Sequence, residues 1–169
     1  MKKRQIVGYT SGVFDLFHVG HLRILQRAKA LCDRLIVGVT VDELVGYKNQ
    51  KVVVPFDQRL EIVSGLKAVD LAIPQDDLDK FVMWKKLKFD VMFIGDDWFD
   101  TDRFRSYERK LKSVGVKIIY LPYTTGITTS GLKSKLETTS ARSVSQLRVG
   151  RKKRKAWKKI EITASPKRA

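Results

Sequence analysis

The sequence predicts an α/β fold: a doubly wound parallel sheet of about five strands, in a single domain that ends in a basic C-terminal tail. Three observations carry that expectation. Short runs rich in Val and Ile alternate with segments of helical period up to about Leu136. Gly, Pro and Asp punctuate most of the boundaries between them. Beyond Leu136 the apolar period stops and Lys and Arg accumulate.

The first strand is expected at Ile6–Tyr9, followed by a helix in which Leu22, Leu25, Ala28 and Cys32 recur at three- and four-residue spacing. Arg23, Gln26, Arg27 and Lys29 fall elsewhere on that turn, so the helix is amphipathic and crosses over one face of the sheet. Leu35–Thr40 reads as the second strand and Phe56–Leu66, behind Pro55, as the next helix. Leu71–Ile73, Leu78–Leu87, Val91–Ile94, Arg103–Val114 ahead of Gly115, Val116–Leu121 and Thr129–Leu136 continue the alternation of strand and helix. Right-handed crossovers then place the ligand site beyond the carboxyl ends of the strands.

The chain has 169 residues, which suits one domain at roughly 100–200 residues each. Its 43% hydrophobic and 31% charged residues exclude both a membrane-embedded protein and a chain without core formers. No run approaches the length of a membrane span, and no apolar core of an export signal follows Met1-Lys2-Lys3-Arg4, so a cytoplasmic location is expected. One cysteine, Cys32, excludes an intrachain disulfide framework and closes an apolar helical pattern, which assigns it to packing. The formal charge of +16 favours anionic partners. Residues 137–169 hold 11 Lys or Arg against two acids, a net +9, and include the block Arg151-Lys152-Lys153-Arg154-Lys155. We therefore read residues 1–136 as the folded domain and 137–169 as a flexible tail that contacts polyanions.

The informative stretch is Ser11-Gly12-Val13-Phe14-Asp15-Leu16-Phe17-His18-Val19-Gly20-His21. Both histidines of the protein lie in it, three residues apart, at a strand-to-helix turn where main-chain N–H groups and the helix dipole already favour a phosphate. Gly20 leaves the backbone open to close approach. The competing reading is a pair of histidines that staples the turn. A metal site lacks its third Cys or His.

With Gly12-Val13-Phe14-Asp15 ahead of His18-x-Gly20-His21, the segment resembles the signature of the cytidylyltransferase family of H-x-G-H nucleotidyltransferases, in particular its bacterial glycerol-3-phosphate cytidylyltransferases. The likeness extends through Asp42-Glu43, Lys48 and Arg59, through Gly95-Asp96-Asp97-Trp98, and into Thr124-x-Gly126-Ile127-Thr128-Thr129-Ser130, covering about residues 5–136. It implies a Rossmann-like domain that joins a nucleoside triphosphate to a phosphorylated alcohol. By that resemblance His18, His21, Lys48 and Arg59 are the catalytic set, with Lys51 a substitute for a second lysine. Val13, Phe14, Asp15, Gly20, Asp97, Trp98, Thr124, Gly126, Ile127, Thr128 and Thr129 bind substrate. The carboxylate of Asp97 suits the exocyclic amino group of cytosine. Asp15 positions a lysine or a magnesium ion, or fixes the turn itself.

The resemblance further implies CTP with Mg2+ as nucleotide substrate, glycerol 3-phosphate as the first candidate acceptor, a CDP-alcohol and pyrophosphate as products, and a homodimer. Two alternatives stand beside it: an adenylyltransferase of the same fold, and a weakened domain that binds nucleic acid or membrane through its basic tail. Two departures from the family pattern bear on the choice. Tyr123 stands where the family usually opens its last motif with arginine, and Lys67 where another arginine is expected, which keeps charge but loses bidentate phosphate geometry.

Overall fold

Strands buried on both faces are continuously apolar, and the second strand is the extreme case, buried at every position from Leu35 to Thr40. The computed structural model describes residues 4–46, 51–99 and 101–142, apart from the side chains of 102, 103 and 140–142. Five strands, β1 (Val7–Gly12), β2 (Arg34–Thr40), β3 (Leu71–Gln75), β4 (Val91–Gly95) and β5 (Lys117–Leu121), form one parallel sheet in the order β3-β2-β1-β4-β5. Among the described residues six helices accompany them: α1 (Val19–Lys29), α2 (Asp42–Val45), α3 (Phe56–Ser64), α4 (Lys80–Leu87), α5 (Asp102–Lys112) and α6 (Thr129–Arg142), with a 3₁₀ turn at Asp96–Trp98.

Alternation along β2 divides the core. Leu35, Val37 and Val39 join Leu25 and Ala28 of α1 and Val63 of α3 on one face. Ile36 joins Met83 of α4 and Phe104 and Leu111 of α5 on the other. The half-buried Cys32 packs against the first cluster, as expected, and its thiol donates to the Ala28 carbonyl at 3.3 Å. Strand order reverses between β1 and β4, and the crevice opens at their carboxyl ends.

The expected elements are all present, with shifted ends. β1 runs three residues past Tyr9, to Gly12. β3 includes Pro74, which an edge strand accepts because one side of it needs no ladder donor. α1 starts at Val19 rather than Leu22, since a histidine cap and not an apolar period opens it. The short α2 and the 3₁₀ turn carry no periodic signal and were not anticipated.

The chain falls into two units, Met1–Lys133 and Ser134–Ala169. Of the second, the described part is the helical stretch up to Arg142, where Thr138 and Thr139 hydroxyls donate to carbonyls one turn back. The boundary drawn at Leu136 therefore lies inside a helix, because no Gly or Pro interrupts residues 132–142. Residues 143–169, with the basic block, lie outside the described residues, as does Lys48.

Candidate functional site

β1 delivers the chain into a tight loop in which Phe14 and Leu16 both adopt left-handed backbone, with φ of 55° and 47°. Non-glycine residues rarely hold that conformation, so the loop is strained and must be held from outside. The Asp15 carboxylate does this. Only 2% exposed, it accepts from the amides of Leu16 at 3.0 Å, Val53 at 3.1 Å and Val54 at 2.9 Å, and pairs with the Lys133 ammonium at 2.8 Å. Burial pushes the carboxyl up, but the hydrogen bonds from Lys133, Val54 and Val53 outweigh it and hold the group below the usual carboxylate range. Of the roles open to Asp15 from sequence, the structure shows it holding a lysine and the turn.

His18 caps α1. Its backbone is extended (φ −140°, ψ 173°), its Nδ1 accepts from the Gly20 amide at 3.1 Å, and the His21 Nδ1 accepts from the His18 amide at 3.4 Å. This reciprocal box is built from two histidines where Ser or Thr with Glu is usual. It fixes the tautomers: with each Nδ1 accepting, the Nε2 of each neutral ring carries the hydrogen. The rings stack at 3.9 Å between centroids, 18° from parallel, and Phe14 meets His21 edge-on at 5.4 Å. Burial lowers both imidazoles. His21 falls to about 4, through burial and then its neighbour His18, and His18 moves down through burial alone. A side chain at Gly20 would place its Cβ 2.8 Å from the His18 ring, so glycine is required for this cap.

The N-terminus of α6 meets that of α1 here. Gly126 turns the chain with φ of 87°. The Thr128 hydroxyl caps α6 by accepting from the Gly131 amide at 2.9 Å, and Ile127 lies against Gly20. Thr129 Oγ1 donates to the Asp15 carbonyl at 3.2 Å and stands 3.4 Å from His18 Nε2. Thr124 is buried beside this turn.

Of these groups Phe14, Asp15, His21, Thr129 and Lys133 line a cleft of about 400 Å³ at the carboxyl ends of the strands, whereas His18, Gly20, Thr124, Gly126, Ile127 and Thr128 stand behind its wall. Its walls include Val13, Phe14, Asp15 and His21 on one side, Asp97 and Trp98 after β4, and Thr129. Asp96 turns the other way and accepts from the Tyr123 amide at 3.0 Å, tying the ends of β4 and β5. Tyr123 itself lines the cleft in place of the expected arginine.

Arg59, which the resemblance puts in the catalytic set, is not among the residues that line the cleft. It is 1% exposed, and its guanidinium donates to the carbonyls of Val54, at 2.9 Å, and Val13, and to the Asp42 carboxylate. Asp42 also accepts from the Phe56 amide at 3.2 Å. The charge is thus spent on holding the β1–α1 loop to α2 and α3, because a buried guanidinium needs partners for its donors. Two lysines that sequence reasoning missed line the cleft: Lys133, and Lys80, which donates to Ser11 Oγ at 2.8 Å. Lys133 follows Thr129 by one helical turn, a spacing that offered the only clue.

A parallel sheet that presents H-x-G-H at the mouth of its switch point, where two helix N-termini converge, defines the nucleotidyltransferase class. The chain belongs to the cytidylyltransferase-like family, whose model matches residues 9–148. It is 36% identical over 126 residues to the glycerol-3-phosphate cytidylyltransferase of Bacillus spizizenii, across 73% of this chain and 92% of that protein. It is 35% identical over 125 residues to the FAD synthase of Thermococcus sibiricus, across 72% of this chain and 84% of that one. Among solved structures, the lipopolysaccharide core biosynthesis protein from Thermoplasma volcanium superposes with a TM-score of 0.62 at 27% identity, covering 73% of this chain and all of that one.

Proposed function

We propose that this protein transfers a cytidylyl group from CTP to a small phosphorylated alcohol, with glycerol 3-phosphate the first candidate. A phosphate oxygen of the acceptor attacks the α-phosphorus in line, the bond to the bridging oxygen breaks, and pyrophosphate leaves with that electron pair. No general base is needed, since the attacking oxygen is already anionic. Catalysis then rests on aligning two polyanions and stabilising charge on the reacting phosphates.

The observation that carries this reading is the histidine pair at the convergence of α1 and α6, with His21 on the cleft wall and the His18 Nε2 beside Thr129 Oγ1. Asp97, after β4, lines the cleft, and its carboxylate would accept from the cytosine amino group. Magnesium enters as part of the substrate, bound to the triphosphate. Among the described residues no three His, Cys, Asp or Glu side chains converge on a metal position. None of the described helices is long and apolar enough to cross a membrane. A homodimer and polyanion contact through residues 137–169 belong to the same proposal.

Adenylyl transfer is the second reading, favoured by FAD synthase relatives at nearly the same identity. The test is pyrophosphate release from CTP or ATP, each with magnesium, against a panel of phosphorylated alcohols and flavin mononucleotide. Release from CTP with glycerol 3-phosphate is the expected result. Release only from ATP replaces the first reading with the second, and no release from either leaves the binding-module alternative.

A further inference from the structure

A carboxylate beside a bound triphosphate repels it, and Asp15 stands on the wall of the cleft where the phosphates are expected. The fold answers with a cation from a distant element. Lys133 lies in α6 one turn after Thr129, on the same helix face, and its ammonium reaches Asp15 Oδ2 at 2.8 Å and the Lys51 carbonyl at 2.7 Å. The same carboxylate takes the amides of Val53 and Val54, while Thr129 binds the Asp15 carbonyl. Three segments, the β1–α1 loop, residues 51–54 and the first turns of α6, therefore meet at one ion pair.

We propose that Lys133 is a positioning residue of the triphosphate site, cancelling the Asp15 charge beside the bound phosphates and seating the α6 N-terminus against His18. The inference rests on the nucleotidyl-transfer reading. Among the described residues, the groups that face Asp15 are Lys133 from α6, His21 from α1, which is neutral at pH 7, and the uncharged amides of residues 16, 53 and 54. Lys133 is thus the cation that balances this carboxylate. Without it, burial is opposed by the amides alone and the Asp15 carboxyl moves up from its lowered position. An ionised, unbalanced Asp15 then weakens triphosphate binding at high pH, and its protonation relieves the repulsion at low pH.

The experiment is calorimetric titration of the full chain with CTP and with ATP, each with magnesium, from about pH 5.5 to about pH 8.5. Lys133→Met should bind about tenfold or more weaker than wild type at the high end, the gap narrowing as pH falls. Adding Asp15→Asn should recover most of the loss and remove the extra pH dependence, and Lys133→Arg should stay close to wild type. A structural role alone would lower the melting temperature of Lys133→Met without that pH-dependent gap or its rescue. Wild-type affinity in Lys133→Met, or a gap constant with pH that Asp15→Asn leaves in place, overturns the inference. If Lys133→Met does not fold, the double variant and Lys133→Arg carry the test: a double variant that binds tenfold weaker than wild type overturns the proposal. Should wild type bind neither nucleotide, the functional reading fails and this inference with it; wild-type binding beside a silent Lys133→Met defeats this inference alone.

Discussion

The imidazoles of His18 and His21 lie face to face, 3.9 Å between centroids, the His18 Nδ1 accepting the Gly20 amide of α1 and the His21 Nδ1 the amide of the capping His18. One arrangement therefore serves the helix and, on the proposed reading, the phosphates, so its two roles need variants that separate them. Asparagine is a strong N-cap, whereas alanine is not. His18→Ala should lose about 1 kcal/mol of stability together with roughly 10²–10³ in turnover. His18→Asn should keep the stability and lose the turnover. Equal turnover in His18→Asn and wild type, measured by pyrophosphate release, would reduce His18 to a cap.

Both histidines titrate below their ordinary range, His21 at about 4. The folded state thus refuses protons that the unfolded chain accepts below about pH 6.5, and stability should fall as pH drops from there toward about 4. Imidazole proton signals in NMR should show His21 untitrated above about pH 5 in the free protein. A bound triphosphate should raise its midpoint. A free-protein midpoint near the ordinary histidine value would contradict the buried cap.

Arg59 predicts a stability effect. Arg59→Met takes the donor from the carbonyls of Val13 and Val54, while the half-exposed Asp42 carboxylate turns to water, and a buried acceptor left unsatisfied typically costs about 1–3 kcal/mol. The melting transition should drop steeply. A variant with wild-type melting and a selective loss of triphosphate affinity would return Arg59 to the phosphate-binding set.

Base choice can be read at Asp97. An ionised carboxylate offers only acceptors, which suits cytosine and not uracil, so UTP should be a poor substrate and Asp97→Asn should raise the KM for CTP. Unchanged CTP kinetics in Asp97→Asn would move base recognition elsewhere along the cleft.

Truncation tests the basic extension. Because α6 continues to Arg142, the cut belongs after that residue and not after Leu136. The shortened protein should keep nucleotidyl transfer and lose salt-sensitive binding to RNA and anionic vesicles. Equal polyanion binding at low salt with and without residues 143–169 would place that contact elsewhere.

Local pattern in the sequence determined the five strands, the helices of clear period and the H-x-G-H turn, because side-chain alternation and amphipathic spacing are properties of neighbouring residues. The family resemblance, not local pattern, marked Asp97, Trp98 and Thr129, which line the cleft. Tertiary structure alone decided what each charge does. Arg59 and Lys133 are both cations on helices, and nothing in their neighbours tells one from the other. Arg59 faces inward among carbonyls and Asp42, whereas Lys133 reaches the cleft to pair with Asp15. A buried charge must find partners wherever the fold brings them, and those partners lie on segments far apart in the chain.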